Sequence, residues 1–201
     1  MPESVSASTN LLRVFVVCFW VVSMRVLGID CGSQVTGFGI IDSDQQRHHL
    51  VVSGAIRLQP KKLFSEKLLD IHREIDQLIS TYGPEILAVE DQFYLSNFKS
   101  VLKLGQVKGA VILTAARAGI PIVEYSPLAI KSAVTGYGRA EKSQVQMMVE
   151  KLLRLAAPPQ PLDASDALAV AICHIHTSAT QTRMQKAASA SMTTRLGGDP
   201  C

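Results

Sequence analysis

The sequence predicts a mixed α/β domain, and three observations carry that prediction. Five short apolar runs have the length and composition of buried strands. The stretches between the later runs repeat apolar residues at helical spacing. The first two runs are separated by a spacer short enough for a hairpin, so the chain opens as strand, hairpin, strand, helix, strand. With 201 residues and 47% apolar content, one domain with a full hydrophobic core is expected.

Leu11 to Val22 is apolar apart from Arg13, and is too short to span a bilayer as a helix. It resembles the apolar core of a secretion signal, but Glu3 is acidic and no Lys or Arg precedes Leu11. The favoured reading makes residues 1–23 an N-terminal extension outside the fold, because Met24 opens the first strand directly. Val26, Leu27 and Ile29 form that strand, Asp30 ends it, and Thr36 to Ile41 is its hairpin partner. Asp42-Ser-Asp44 is turn chemistry, and Leu50 to Leu58 is a third strand with Gly54 as a candidate bulge. Phe64, Leu68, Ile71, Ile75, Leu78, Ile79 and Tyr82 mark a helix that Gly83-Pro84 stops. Ile86 to Glu90 is a fourth strand, again ending on a carboxylate.

Asp91 to Asn97 is a polar and aromatic connection holding Phe93 and Tyr94. Lys99 to Ala118 reads as a long helix containing Gly105-x-x-x-Gly109; Lys103 and Lys108 exclude a membrane, and the glycines allow close approach to the sheet or to another helix, the sheet being the commoner use. Pro121 to Tyr125 is the fifth strand. Ser126-Pro127 starts a helix, with Ser at the N-cap and Pro at the first helical position, and Glu141 to Arg154 forms another. A Pro158–Pro161 linker leads to a last helix beginning at Asp163, and beyond Ser178 the composition predicts a disordered tail over 179–201.

The net charge of +3 is small, but nine basic and only three acidic residues lie between Ser96 and Arg154, which suits either a nucleic-acid face or ordinary solvated helix faces. Cys18, Cys31, Cys173 and Cys201 show no zinc spacing, and His174 and His176 stand two apart on a helix and so face different ways. A reducing, cytoplasmic setting without structural zinc is the simplest reading.

Four carboxylates carry the chemistry. Taken singly, each has an ordinary reading: Asp30 as a cap of the turn through Gly32 and Ser33, and Asp163 with Asp166 as acids at a helix start. Taken together they suggest more. If the strands ending in Asp30 and Glu90 are sheet neighbours, the two acids stand side by side, and a helix opening with Asp163 and Asp166 can pack beside them. Two carboxylates about 4 Å apart repel by roughly 4 kcal/mol at an effective dielectric near 20. Divalent cations offset that repulsion, and a pair of Mg²⁺ ions suits the in-line cleavage of a phosphodiester.

Five ordered stretches then fit one family: Gly28-Ile-Asp-Cys-Gly-Ser with Thr36-Gly-Phe-Gly39, Val89-Glu-Asp-Gln-Phe93, Leu104-Gly-Gln-Val-Lys-Gly109, Ala140-Glu-Lys-Ser-Gln-Val145, and Asp163-Ala-Ser-Asp-Ala-Leu-Ala169. From Met24 to about His176 the chain resembles the RuvC family of Holliday junction resolvases. The resemblance implies a ribonuclease H-like fold over residues 24–178, a five-stranded mixed sheet flanked by helices on both faces. It implies that Asp30, Glu90, Asp163 and Asp166 are catalytic and bind Mg²⁺, two ions per site, with Mn²⁺ as a substitute. It implies a homodimer whose subunits each nick one of two opposed strands of a four-way DNA junction, working with a RuvA–RuvB branch-migration complex. Phe93 matches an aromatic that stacks on an unpaired base, and Lys131 and Lys142 match lysines near the scissile phosphate; Lys99, Lys103 and Lys108 are further candidate DNA contacts, the alternative being that they lie on the dimer side. The chain departs from the family pattern at Cys31 (usually Pro), Phe38 (usually Tyr), Val107-Lys108 (usually Ala-Arg) and Ser96 (often basic); none of these removes an acid. Three other readings remain open: an actin-like or sugar-kinase-type ATPase, which would need a second copy of the Gly-Ile-Asp-x-Gly motif, a non-catalytic junction-binding module, and a ribonuclease H-like nuclease for another DNA or RNA structure.

Overall fold

The computed structural model describes residues 23–44, 46–91 and 98–196, with side chains to Ser189. Five strands and five helices follow one another: β1 (Met24–Asp30), β2 (Val35–Ser43), β3 (His48–Arg57), α1 (Phe64–Tyr82), β4 (Ile86–Glu90), α2 (Phe98–Arg117), β5 (Ile122–Tyr125), α3 (Pro127–Thr135), α4 (Lys142–Leu152) and α5 (Leu162–Leu196). The sheet order is β3-β2-β1-β4-β5, antiparallel from β3 to β1 and parallel from β1 to β5. This is the expected five-stranded mixed sheet.

Alternation along the strands splits the core in two. Leu27, Ile29, Ile40, Leu87 and Val89 point to one face and are buried against Ile71, Ile75 and Ile79 of α1 and Val107, Val111 and Ala115 of α2. Val26, Ile41 and Ala88 point to the other, under Ile130 and Val134 of α3, Val145 and Val149 of α4 and the Leu168–Ile175 stretch of α5. Both faces are thus covered by helices.

Local signals act as their chemistry dictates. Ser126 Oγ accepts from the Ala129 amide 3.2 Å away and Pro127 occupies the first position of α3. Gly83 closes α1 at φ 57°, a left-handed conformation that favours glycine. One expectation is corrected. The irregularity in the β2–β3 ladder lies between Ile40 and Ile41, not at Gly54. Gly54 instead pairs with Phe38 across the strands, where an added Cβ would come within 2.8 Å of the Phe38 ring. The last helix, α5, continues past Ser178 to Leu196, and residues 197–201 lie outside the described residues. Its Ala, Gln, Met, Lys and Arg residues are good helix formers, and the extension, exposed where its side chains are described, continues a helix already nucleated by packing.

The seat of α5 determines the site. Glycines occupy three positions of the β1–β2 hairpin on the α5 face: Gly28 and Gly39 face each other, and Gly37 pairs with Asp30. A Cβ on Gly28 would lie 2.1 Å from the Ala167 carbonyl oxygen, and one on Gly37 would lie 2.0 Å from that of Asp163. The helix backbone rests directly on the strand backbone, a closeness no other residue type allows. Farther along, α5 is tied down by imidazoles: His176 Nδ1–H donates to Ala133 O of α3 at 2.8 Å, His176 Nε2 lies 3.2 Å from His48 Nε2, and His48 Nδ1 lies 2.9 Å from Ser43 Oγ. With the His176 proton on Nδ1, a neutral pair requires His48 to donate through Nε2 and accept from Ser43.

Candidate active site

The parallel register of β1 and β4 places Ile29 beside Val89, so Asp30 and Glu90 are the next residues of neighbouring strands. Alternation points both away from the α1–α2 face and toward α5. Thr36 closes the turn after Asp30: the Gly32 amide donates to Thr36 Oγ1 at 3.4 Å, and the buried Thr36 hydroxyl donates back to Gly32 O at 3.1 Å. Asp163 and Asp166 lie in the first turns of α5, one turn apart on the part of the helix that the glycines admit to the sheet. Since α5 already begins at Leu162, Asp163 lies inside its first turn rather than capping it.

Asp30, Glu90 and Asp166 border one cavity of about 250 Å³, together with Lys131 of α3, Lys142 of α4 and an apolar wall that includes Ile130, Val145 and Val170. Lys142 Nζ lies 2.6 Å from Asp166 Oδ2, an ion pair that holds the Lys142 pKa above its ordinary value. Asp163 does not line the cavity but is close enough for its charge to act on Asp30. Asp30 itself is pushed up to about 8, first by burial and then by the negative charges of Glu90 and Asp166, with Lys142 opposing.

Among the described residues no three Asp, Glu, His or Cys side chains close into a finished metal cage. The donor set nonetheless fits a hard divalent cation. It is all oxygen, and the two causes that disfavour the Asp30 carboxylate, burial and crowding by like charge, are both offset by a cation.

Of the other expected site residues, Phe93 lies outside the described residues, and Lys99 is exposed at the start of α2, away from the cavity lining. Lys108 has a different environment from the one expected. Its ammonium lies 2.6 Å from Asp91 Oδ1 and also donates to Glu124 Oε2, so its charge is matched by two carboxylates within the chain. Burial pulls its pKa down, but the two hydrogen bonds outweigh this and hold it above its ordinary value. Asp91 and Glu124 escaped the sequence reading; the available signal was position, since each stands at the C-terminal end of a parallel strand. Cys31 is buried beside the site, and burial followed by the Asp30 charge pushes its thiol up to about 12, leaving it an inert apolar side chain.

The comparisons with known proteins agree with this geometry. A family model described as crossover junction endodeoxyribonuclease RuvC matches residues 26–174. A protein of that name from Koribacter versatilis is 54% identical over 162 residues, covering 80% of this chain and 98% of its own length. Another, from Acidobacterium capsulatum, is 51% identical over 160 residues, 76% of this chain and 94% of its own. A solved structure of T. thermophilus RuvC in complex with a Holliday junction substrate superposes with a TM-score of 0.72 at 30% identity, covering 78% of this chain and 96% of that one. The sheet order, the two helical layers and this superposition establish the ribonuclease H-like fold. With acids from β1, β4 and α5 at one cavity and the family model spanning every element that supplies them, the chain belongs to the RuvC family of crossover junction endodeoxyribonucleases.

Proposed function

We propose that this chain is an endonuclease that resolves four-way DNA junctions by Mg²⁺-dependent nicking of two opposed strands. The observation that carries the reading is the cavity at which Asp30, Glu90 and Asp166 meet Lys131 and Lys142. Carboxylates to hold cations and lysines to receive a phosphate are what phosphodiester hydrolysis needs, and no Cys or His nucleophile is required. Asp30, Glu90, Asp163 and Asp166 would hold two Mg²⁺ ions, or Mn²⁺ in their place, which would supply Lewis-acid charge neutralisation for the hydrolysis. The chain's own part is to gather the four acids, to bring the Lys142 and Lys131 ammonium groups to the scissile phosphate, and to stack Phe93 on a base unpaired at the crossover. Lys99 adds a weaker phosphate contact.

Pairing of two subunits gives the two opposed nicks, and α2 supplies a face for it. Phe98, Val101, Leu102 and Leu113 are exposed on the side of the helix opposite the buried Val107, Val111 and Thr114. Gly105 and Gly109 lie on that same exposed side, with nothing within 4 Å of an added Cβ. Of the two uses open to these glycines, packing on the sheet is thus not the one adopted, and approach of another helix is left. An apolar stripe with small residues at its centre suits close approach of the same helix from a second copy. Cooperation with a RuvA–RuvB complex and work in the cytoplasm belong to the same reading; among the described residues no helix is long and apolar enough to cross a membrane.

A synthetic four-way junction incubated with the protein, with and without Mg²⁺, tests the reading. Paired symmetric nicks that require Mg²⁺ are expected, and intact strands at every Mg²⁺ concentration would reject it. Binding of the junction should weaken steeply with added salt, because phosphates are the main contacts.

A further inference from the structure

We propose that Lys108 is a positioning residue for Glu90: it clamps the ends of β4 and β5 together and so holds one wall of the acidic site, rather than contacting DNA. The inference rests on the nuclease reading above and deepens it.

The geometry is local and specific. Asp91 follows Glu90 directly, and its amide donates to Tyr125 O at 2.8 Å, closing the last rung between β4 and β5. Glu90 is paired with Tyr125 and Val89 with Glu124 in the same register. Lys108, from the sheet-facing edge of α2, bonds to the side chains of both strand ends at once, Asp91 at 2.6 Å and Glu124. The Lys108 side chain is 19% exposed and Asp91 26%, so that half of the bridge is partly shielded, whereas Glu124, 45% exposed, closes it from the solvent side. Glu90 and Lys108 also line a second cavity, of about 240 Å³, with Cys31, Leu104 and Gly105. Glu90 therefore stands on a partition between two spaces, the acidic cavity on one side and the Lys108 bridge on the other.

Removal of the ammonium would leave Asp91 and Glu124 as uncompensated neighbours at the strand ends that place Glu90. Their repulsion would spread β4 from β5 at that rung and shift the Glu90 carboxylate relative to Asp30, which stays fixed by β1. The consequence is weaker capture of the metal, with the DNA surface itself left intact.

The test compares the wild-type protein with Lys108→Met and Lys108→Arg by three measurements. These are the Mg²⁺ concentration for half-maximal junction nicking, Mn²⁺ affinity of the DNA-free protein by calorimetry, and junction affinity in EDTA. For Lys108→Met, about a tenfold rise in the Mg²⁺ requirement and a parallel loss of Mn²⁺ affinity are expected, with junction affinity within about twofold of wild type. Lys108→Arg, whose fork can also reach two carboxylates, should restore both metal readouts. If Lys108→Met does not fold, Glu124→Gln, which leaves Lys108 on Asp91 alone, should shift the same metal readouts by a smaller factor of at least about two. Unchanged metal readouts in the variants that fold would overturn the clamp, and so would a several-fold loss of junction affinity with metal affinity intact. A wild-type protein that never nicks the junction would defeat the nuclease reading instead, while the DNA-free metal affinity would still decide the clamp.

Discussion

At the scale of single residues, Asp30 shows why carboxylates can be read from sequence and their partners cannot. An acid ending a buried strand is conspicuous, because an unpaired charge beside a core is costly; Asp30 and Glu90 both showed this pattern and the register sets them side by side. Lys108 gave no such signal, since its partners lie 17 residues before it and 16 after it, and a lysine on a helix reads as solvated. The raised Asp30 pKa has a measurable consequence. With the ordinary value at 3.8 and the folded value at about 8, the metal-free folded state holds a proton that the unfolded chain has lost. The contribution of Asp30 to stability is then full below the ordinary carboxylate pKa and is lost as pH rises toward 8. Thermal melts in EDTA should show this fall between pH 5 and 8 as a decline in Tm, and Mg²⁺ should reverse it at pH 8. Asp30→Asn should flatten the decline and raise the metal-free Tm at pH 8, because it removes a buried charge. The same variant should bind the junction and lose nicking by at least about a thousandfold. Nicking at the wild-type rate would remove Asp30 from the catalytic set.

At the scale of elements, the helix starts and stops were legible and the contact between α5 and the sheet was not. Ser126-Pro127 and Gly83 act through bonds within a few residues, so the sequence displays them directly. The seat of α5 depends on three glycines more than 120 positions away from it, whose shared face appears only once β1 and β2 are paired. The last turns of α5 rest on intrinsic propensity rather than on an apolar stripe, so no periodic pattern displays them in the sequence. The glycine seat makes a sharp prediction. In Gly37→Ala the new methyl would meet the Asp163 backbone, which is not the flexible end of a side chain and cannot swing aside. The first turn of α5 must lift, carrying Asp163 and Asp166 with it. Such overpacking costs about 1–3 kcal/mol, a loss that urea melts can measure. Nicking should fall far more than folding does, by about a hundredfold or more, because a displacement near 1 Å at a catalytic group has that effect. If the folded variant nicks as fast as wild type, the seat does not set the position of the two aspartates.

For the whole molecule, the single chain leaves one element half used. The other helices leave one or two large apolar side chains each in solvent, such as Leu69 on α1, Leu128 on α3 and Met147 on α4, whereas α2 buries Val107, Val111 and Ala115 and still exposes Phe98, Leu102 and Leu113 together on its opposite face. The sequence showed the Gly105 and Gly109 spacing but not which surface it served, since a helix apolar on both sides has two candidate neighbours and only one is in this chain. A second copy would resolve the mismatch, and the chemistry of the proposed substrate favours one: a junction has two strands to cut, and among the described residues the catalytic acids of a chain gather at a single cavity. Leu102→Glu with Leu113→Glu places charges on that stripe without touching either core, so the double variant should fold with a Tm within a few degrees of wild type. Sedimentation should show wild-type dimers and variant monomers at micromolar concentration. On a plasmid bearing an extruded cruciform, wild type should give linear product from two coordinated cuts, whereas the variant should give mainly nicked circles, because a monomer releases the junction after its first cut. A variant that stays monomeric and still linearises the plasmid as efficiently as wild type would separate coordinated cleavage from pairing through α2.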